Sequence, residues 1–160
     1  MPEPHVIRLR GPWEYQPLER FVRLVDGPYS SETEGLPPGG KVQVPCDWSE
    51  TLGHDFRGRV RYTRRFNCPT NLDPQERVWL AFDGVDYQAQ VLLNDQRLGW
   101  VQGYDRPQRF EVTTKLQPHN LLMVEVSLPA SVFRDPDARP GRAGAAGGLI
   151  GEVRLEIDQS

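Results

Sequence analysis

Arg77-Val78-Trp79-Leu80-Ala81-Phe82-Asp83-Gly84-Val85-Asp86-Tyr87-Gln88-Ala89-Gln90-Val91-Leu92-Leu93-Asn94 is the stretch whose reading decides the fold. Val78, Leu80 and Phe82 recur at every second position, then Tyr87, Ala89, Val91 and Leu93. The same period returns at Leu122, Val124, Val126 and Leu128. Successive side chains of a strand point to opposite faces, so a period of two puts these residues on one buried face of an antiparallel sheet. Turn formers separate the runs: Asp83-Gly84, Asn94-Asp95, Gly103 and Pro118. Several short strands at close spacing, divided by such turns, predict an all-β sandwich or barrel.

Outward from that stretch the pattern continues. Val6 to Trp13 reads as an opening strand with a turn at Gly11-Pro12, and Trp13 with Tyr15 gives an aromatic pair at strand spacing. Phe21 to Val25 and Val60 to Phe66 read as strands. Val42-Gln43-Val44-Pro45 is a short extended piece stopped by a proline, which cannot donate a ladder hydrogen bond. Leu98 to Val101 and Gln108 to Val112 flank a loop, and Val153, Leu155 and Ile157 give a closing strand. Residues 26–40 and 134–148 are dense in turn formers and small residues, have little apolar surface to bury, and are expected to be mobile loops. With no repeat and no long amphipathic helix, residues 1–160 suit a single β-sandwich domain large enough to enclose a core.

Composition excludes more than it assigns. The net charge of −3 and the dispersed cations argue against a nucleic-acid partner. The densest cluster, Arg57, Arg59, Arg61, Arg64 and Arg65, reads as the exposed side of a strand. Cys46 and Cys68 match no metal spacing; two free thiols is the simpler reading, and pairing stays open. No window reaches the roughly 20 apolar residues of a membrane span, and the N-terminus lacks the basic and apolar regions of a secretory signal. A cytoplasmic location is the default, with the compartment left open. His5, His54 and His119 sit in turn-like or terminal contexts, and no serine lies in a Gly-x-Ser-x-Gly elbow.

Taken in order, the motifs resemble a known family. Phe82-Asp83-Gly84-Val85-Asp86-Tyr87 through Asn94 resembles the N-terminal sugar-binding-like domain of glycoside hydrolase family 2, the family of β-galactosidases, β-glucuronidases and β-mannosidases. Leu9-Arg10-Gly11-Pro12-Trp13 is similar to its opening, Val44-Pro45-Cys46-Asp47-Trp48 to its Val-Pro-x-x-Trp element, and Gly58 to Phe66 to its Tyr-Arg-Arg-x-Phe strand with the second arginine displaced. Leu98-Gly99, the run from Asn120 to Val126, Gly147-Gly148-Leu149-Ile150 and Val153-x-Leu155 complete the set. The resemblance implies a jelly-roll β-sandwich of two antiparallel sheets, galactose-binding-domain-like. One departure is Asn94-Asp95 where the family usually has Asn-Gly; aspartate still tolerates the left-handed conformation better than most residues.

Turn chemistry accounts for four of the motif positions: Gly84 for a positive φ, Asp86 as a turn cap, and Asn94 and Asn120 as strand or hairpin starters. Retaining glycosidases need two carboxylates about 5 Å apart, and the resemblance places both in a barrel that follows the sandwich. Asp83 with Asp86, or Glu50 with Asp55, read as solvated or turn-capping pairs, so this chain by itself is expected to be noncatalytic. Carbohydrate binding is the sharper expectation. Sugar sites combine an aromatic face with a few orienting polar groups, and Asp47, Trp48, Tyr87, Trp100, Tyr104 and Arg106 offer that combination. Trp48 and Trp100 are equally readable as core plugs closing the ends of the sandwich. No oxygen-rich run demands calcium or another cofactor. A catalytic domain or a protein partner is the remaining candidate for contact, with an exposed apolar face as its mark.

Overall fold

The computed structural model describes residues 4–23, 29–133, 135 and 137–159. Among them are β1 (His5–Arg8), β2 (Trp13–Arg23), β3 (Tyr29–Glu32), β4 (Gly40–Val42), β5 (Gly58–Asn67), β6 (Glu76–Phe82), β7 (Gln88–Leu93), β8 (Gln96–Gln102), β9 (Gln108–Glu111), β10 (His119–Leu128) and β11 (Val153–Gln159). Two single-turn helices, α1 (Ser49–Leu52) and α2 (Ala130–Phe133), interrupt the loops. One sheet has the order β1-β11-β6-β9; the other runs β3-β2-β5-β10-β7-β8, with β4 paired to the start of β2. All the pairings are antiparallel. This is the expected all-β jelly-roll sandwich.

The period of two does what it predicts. Val78, Leu80 and Phe82 of β6 face Ala89, Val91 and Leu93 of β7 and Leu122, Val124, Val126 and Leu128 of β10 across one core, each at most 1% exposed. Burying a valine- or leucine-sized side chain stabilises by about 1.5–3 kcal/mol, so β10, flanked by β5 and β7, anchors the larger sheet. Trp13 is fully buried, and its Nε1 donates to the Leu9 carbonyl at 2.7 Å, so its polar end is satisfied inside.

Several expectations are corrected. The opening segment divides at Gly11-Pro12: β1 joins the smaller sheet and Trp13 opens β2 in the other. What reads as two pieces, around Tyr15 and from Phe21, is one strand that passes Pro17 through a register shift against β5, where the missing N–H is tolerated. Residues 24 and 25, assigned to that strand by sequence, lie outside the described residues. Within the stretch expected to be a loop, Tyr29–Glu32 pairs with β2 (residues 26–28 also lie outside the described residues). The arginine cluster is not one exposed face. Arg59 and Arg61 are outward and pair with Glu19 and Glu125, but Arg57 is 6% exposed and donates to the carbonyls of His54 and Phe56. Cys46 and Cys68 are unbridged.

Four connections meet at one end of the sandwich, laced by backbone hydrogen bonds. Val85 N–H donates to Gly103 O and Gly103 N–H to Tyr87 O, tying the β6–β7 loop to the β8–β9 loop. Asp86 and Gly148 exchange both bonds of an isolated bridge, and Trp48 N–H donates to Gly147 O. Residues 137–148, which the composition marks as mobile, are held there: Ala146, Gly147, Gly148 and Arg139 are buried.

Candidate functional site

The β8–β9 loop and the residues after α2 enclose a cleft of about 660 Å³. Tyr87, Gln102, Tyr104, Asp105, Arg106 and Gln108 line it, with Ala138 and Pro140 on the far side. Gln108 holds the loop closed, its Nε2 donating to Gln102 O at 2.8 Å while its Oε1 accepts from Gln102 N–H at 3.2 Å. Gln102 Nε2 in turn donates to the Tyr87 hydroxyl at 3.2 Å. Tyr104 is clamped from two sides. Its hydroxyl donates to Pro140 O at 2.6 Å, and its Cβ sits where a side chain at residue 84 would stand, 2.6 Å from the position of that Cβ. Gly84 is thus required by close approach and not by a positive φ, which corrects the turn-based expectation. Burial, then the charge of Asp86, raises the Tyr104 phenol above its ordinary pKa, so the ring stays neutral and the hydroxyl remains a donor.

Beneath the cleft lies a buried ion cluster. The carboxylate of Asp86, fully buried and joined to Tyr87 through a cis peptide, accepts from Arg139 Nε at 2.8 Å and Nη2 at 2.6 Å, and from Arg142 Nε at 2.7 Å. Arg142 also approaches Asp47 at 4.0 Å, so two carboxylates balance two guanidiniums. Asp86 is therefore the counter-charge of an arginine pair, which corrects its reading as a turn cap. Sequence reasoning missed Arg139 and Arg142; the available signal was two cations three residues apart in residues 138–148, an otherwise uncharged Gly/Ala/Pro run.

The structure brings together Tyr87, Tyr104 and Arg106 and separates the other candidates from them. Trp48 is 1% exposed, stacks edge-on with Phe56 at 5.6 Å and donates from Nε1 to Phe56 O, which makes it a core plug. Asp47 closes the turn that leads into α1, its Oδ1 accepting from Ser49 N–H at 2.9 Å and Oγ at 2.6 Å. Burial alone would raise its carboxyl, but these two bonds, with the charges of Arg142 and His54, hold it below the ordinary carboxylate range. Trp100 lies on the outer face of β8 opposite Gln90, 54% exposed, and is no core plug. Asn94 and Asn120 do more than start strands: Asn94 Nδ2 donates to Asn120 Oδ1 at 2.9 Å, and Asn94 Oδ1 accepts from Leu121 N–H. Burial first, then Asp47 and Glu50, pushes the Cys46 thiol up to about 11, which leaves it without thiolate character at neutral pH.

Chemically, the cleft offers two tyrosine rings, amide groups and the charged pair Asp105 and Arg106, which are exposed and make no ion pair among the described residues. Of the two carboxylate pairs weighed for catalysis, the first is engaged elsewhere, Asp83 with Arg154 at 2.7 Å and Asp86 with its arginines. Among the described residues no group of His, Cys, Asp and Glu side chains could hold a metal ion.

A two-sheet antiparallel sandwich whose loop end forms such a cleft is a domain of the galactose-binding-like class. The chain belongs to the glycosyl hydrolase 2 galactose-binding domain-like family, which it matches over residues 55–146. Comparison with curated proteins finds no match. Among solved structures it is similar to the Bifidobacterium dentium β-glucuronidase complexed with coumarin-3-O-glucuronide (24% identity, TM-score 0.72, covering 99% of this chain and 30% of that one). The Faecalibacterium prausnitzii β-glucuronidase gives 21% identity and TM-score 0.69, covering 100% and 32%. A family 2 β-galacturonidase from Eisenbergiella tayi gives 19% and 0.64, covering 97% and 24%. At these identities the likeness is one of fold, and the chain spans a third or less of each of those proteins.

Proposed function

We propose that the domain is a noncatalytic carbohydrate-binding or carbohydrate-positioning module, acting alone or beside a glycosidase domain. The observation that supports this reading is the cleft in which Tyr87 and Tyr104 stand beside Gln102, Asp105, Arg106 and Gln108. Tyrosine faces pack against the C–H groups of a sugar ring, while amides and charged groups at the rim orient its hydroxyls. Asp86 lies under that rim with both oxygens already accepting from arginine, so its part is to hold the loops in place. The named relatives suggest uronic acids and galactose derivatives as the first saccharides to try, and Arg106 is placed to meet a sugar carboxylate.

Calorimetry with glucuronic acid, galacturonic acid, galactose and their methyl glycosides tests the reading. Saturable binding to at least one is expected, weakened about tenfold by Tyr104→Ala or Arg106→Ala, each of which removes one of the few orienting contacts of a small ligand. A folded chain that binds none of them, or binds equally well after both substitutions, would overturn it.

A further inference from the structure

The far end of β5 carries an arginine where the pattern calls for an apolar side chain. Cross-strand partners in an antiparallel pair share a face. Arg64 lies opposite Leu122 just as Tyr62 lies opposite Val124 and Val60 opposite Val126, and those three β10 residues are fully buried. Arg64 therefore stands at a core-facing register position. Its Nη1 donates to the carbonyl of Arg65, but its Nε is removed from solvent with no acceptor among the described residues. An N–H of a charged group taken out of water without a partner is destabilising.

Beside it is a cleft of about 600 Å³ between β1 and the paired ends of β5 and β10. Arg8 reaches it from β1, Arg64 and Arg65 from β5 and His119 from β10, and no carboxylate lines it. Arg8 shares its charge with Glu152 at 3.0 Å, and His119 Nδ1 is 2.9 Å from Asn67 Oδ1. Arg65 is exposed and makes no ion pair among the described residues. Glu14 lies in an adjoining cleft that Arg64 and Arg65 also line, without a salt bridge to either. We propose that the β1/β5/β10 cleft binds a small oxyanion, as the free ion or as the sulfate or carboxylate group of an acidic saccharide, with Arg64 and Arg65 as its principal donors. The planar guanidinium fork matches two oxygens of such a group.

This site is distinct from the tyrosine cleft. Tyr87 N–H bonds to Ser127 at one end of β10 and His119 begins the other, a separation of about 26 Å at roughly 3.3 Å per residue.

The test is calorimetric titration of the 160-residue chain with sodium sulfate, glucuronic acid and neutral glucose, ionic strength being held constant with chloride. Measured in the Tyr104→Ala background, which weakens the tyrosine cleft, saturable binding of sulfate or glucuronic acid is expected, reduced about tenfold by Arg65→Ser, whose exposed site keeps the fold intact. Arg64→Met is expected to abolish it. Sulfate binding without glucuronic acid binding would identify the free tetrahedral ion as ligand, and the reverse a sugar carboxylate. Binding that survives Arg65→Ser undiminished, or no binding of either anion beyond that of chloride, would overturn the assignment.

Discussion

At the scale of the residue, the same motif letters serve different physical needs. Gly84 answers a steric demand from Tyr104, Asp86 a demand for counter-charge, and Asp47 a demand for an acceptor in the turn before α1. Only the last has a clear pH consequence. A carboxyl held below its ordinary value contributes stability that is present above about 3.8, its unperturbed pKa, and is lost as pH falls through the lower folded value. Asp47→Asn keeps an acceptor for Ser49 but removes the charge that faces Arg142 and His54. The variant is expected to be less stable than the parent at pH 7, by less than about 1 kcal/mol because the carboxylate is partly exposed. The gap is expected to close below pH 3.8. Thermal unfolding of both proteins from pH 2.5 to 7 measures it, and a gap that widens in acid would sink the argument.

At the scale of the element, the β7–β8 hairpin shows a sequence choice short of its optimum. Leu93 pairs with Gln96 around the two-residue turn Asn94-Asp95, whose φ values are 51° and 68°. Two positive φ values in a two-residue loop match the twist of the flanking strands, and glycine meets the second one without a Cβ penalty. Asp95→Gly is therefore expected to stabilise the domain by about 0.5–1 kcal/mol, read as a shift in urea midpoint with unchanged slope; a lower midpoint would contradict it. Elements of this kind were legible because alternation and turn chemistry are local: β6, β7, β10 and β11 follow directly from every-second-residue patterns. The β2 strand was harder, since Pro17 and a register shift hide its continuity. The site was half legible. Tyr87, Tyr104 and Arg106 stand out as loop aromatics and a cation, whereas the seating of Trp48 against Gly147 and the pairing of Asp86 with Arg139 depend on contacts between residues far apart in sequence.

At the scale of the whole molecule, the sandwich closes its loop end with a buried ion cluster beside the Trp48 plug. Residues 137–148 bring few large side chains to the core, and what fastens them is the Asp86–Arg139–Arg142–Asp47 cluster together with the Asp86–Gly148 backbone bridge. A buried ion pair adds little net stability over an apolar replacement, but removing one member is costly because the other charge stays behind in a low-dielectric site. Asp86→Ala takes away the carboxylate to which two nitrogens of Arg139 and one of Arg142 donate, while Arg139 keeps its bond to Ala145 O. The substitution is expected to lower stability by about 3 kcal/mol in urea denaturation. Hydrogen exchange is expected to quicken first at the amides of Trp48 and Cys46, which donate to Gly147 and Leu149, while those of β10 keep their protection relative to global unfolding. Uniform loss of protection across the sheet would mean that the cluster supports the sandwich as a whole. A stability change under about 1 kcal/mol with exchange at Trp48 unaltered would mean that the backbone bridge alone holds the segment, and that the charges beneath the cleft have another purpose.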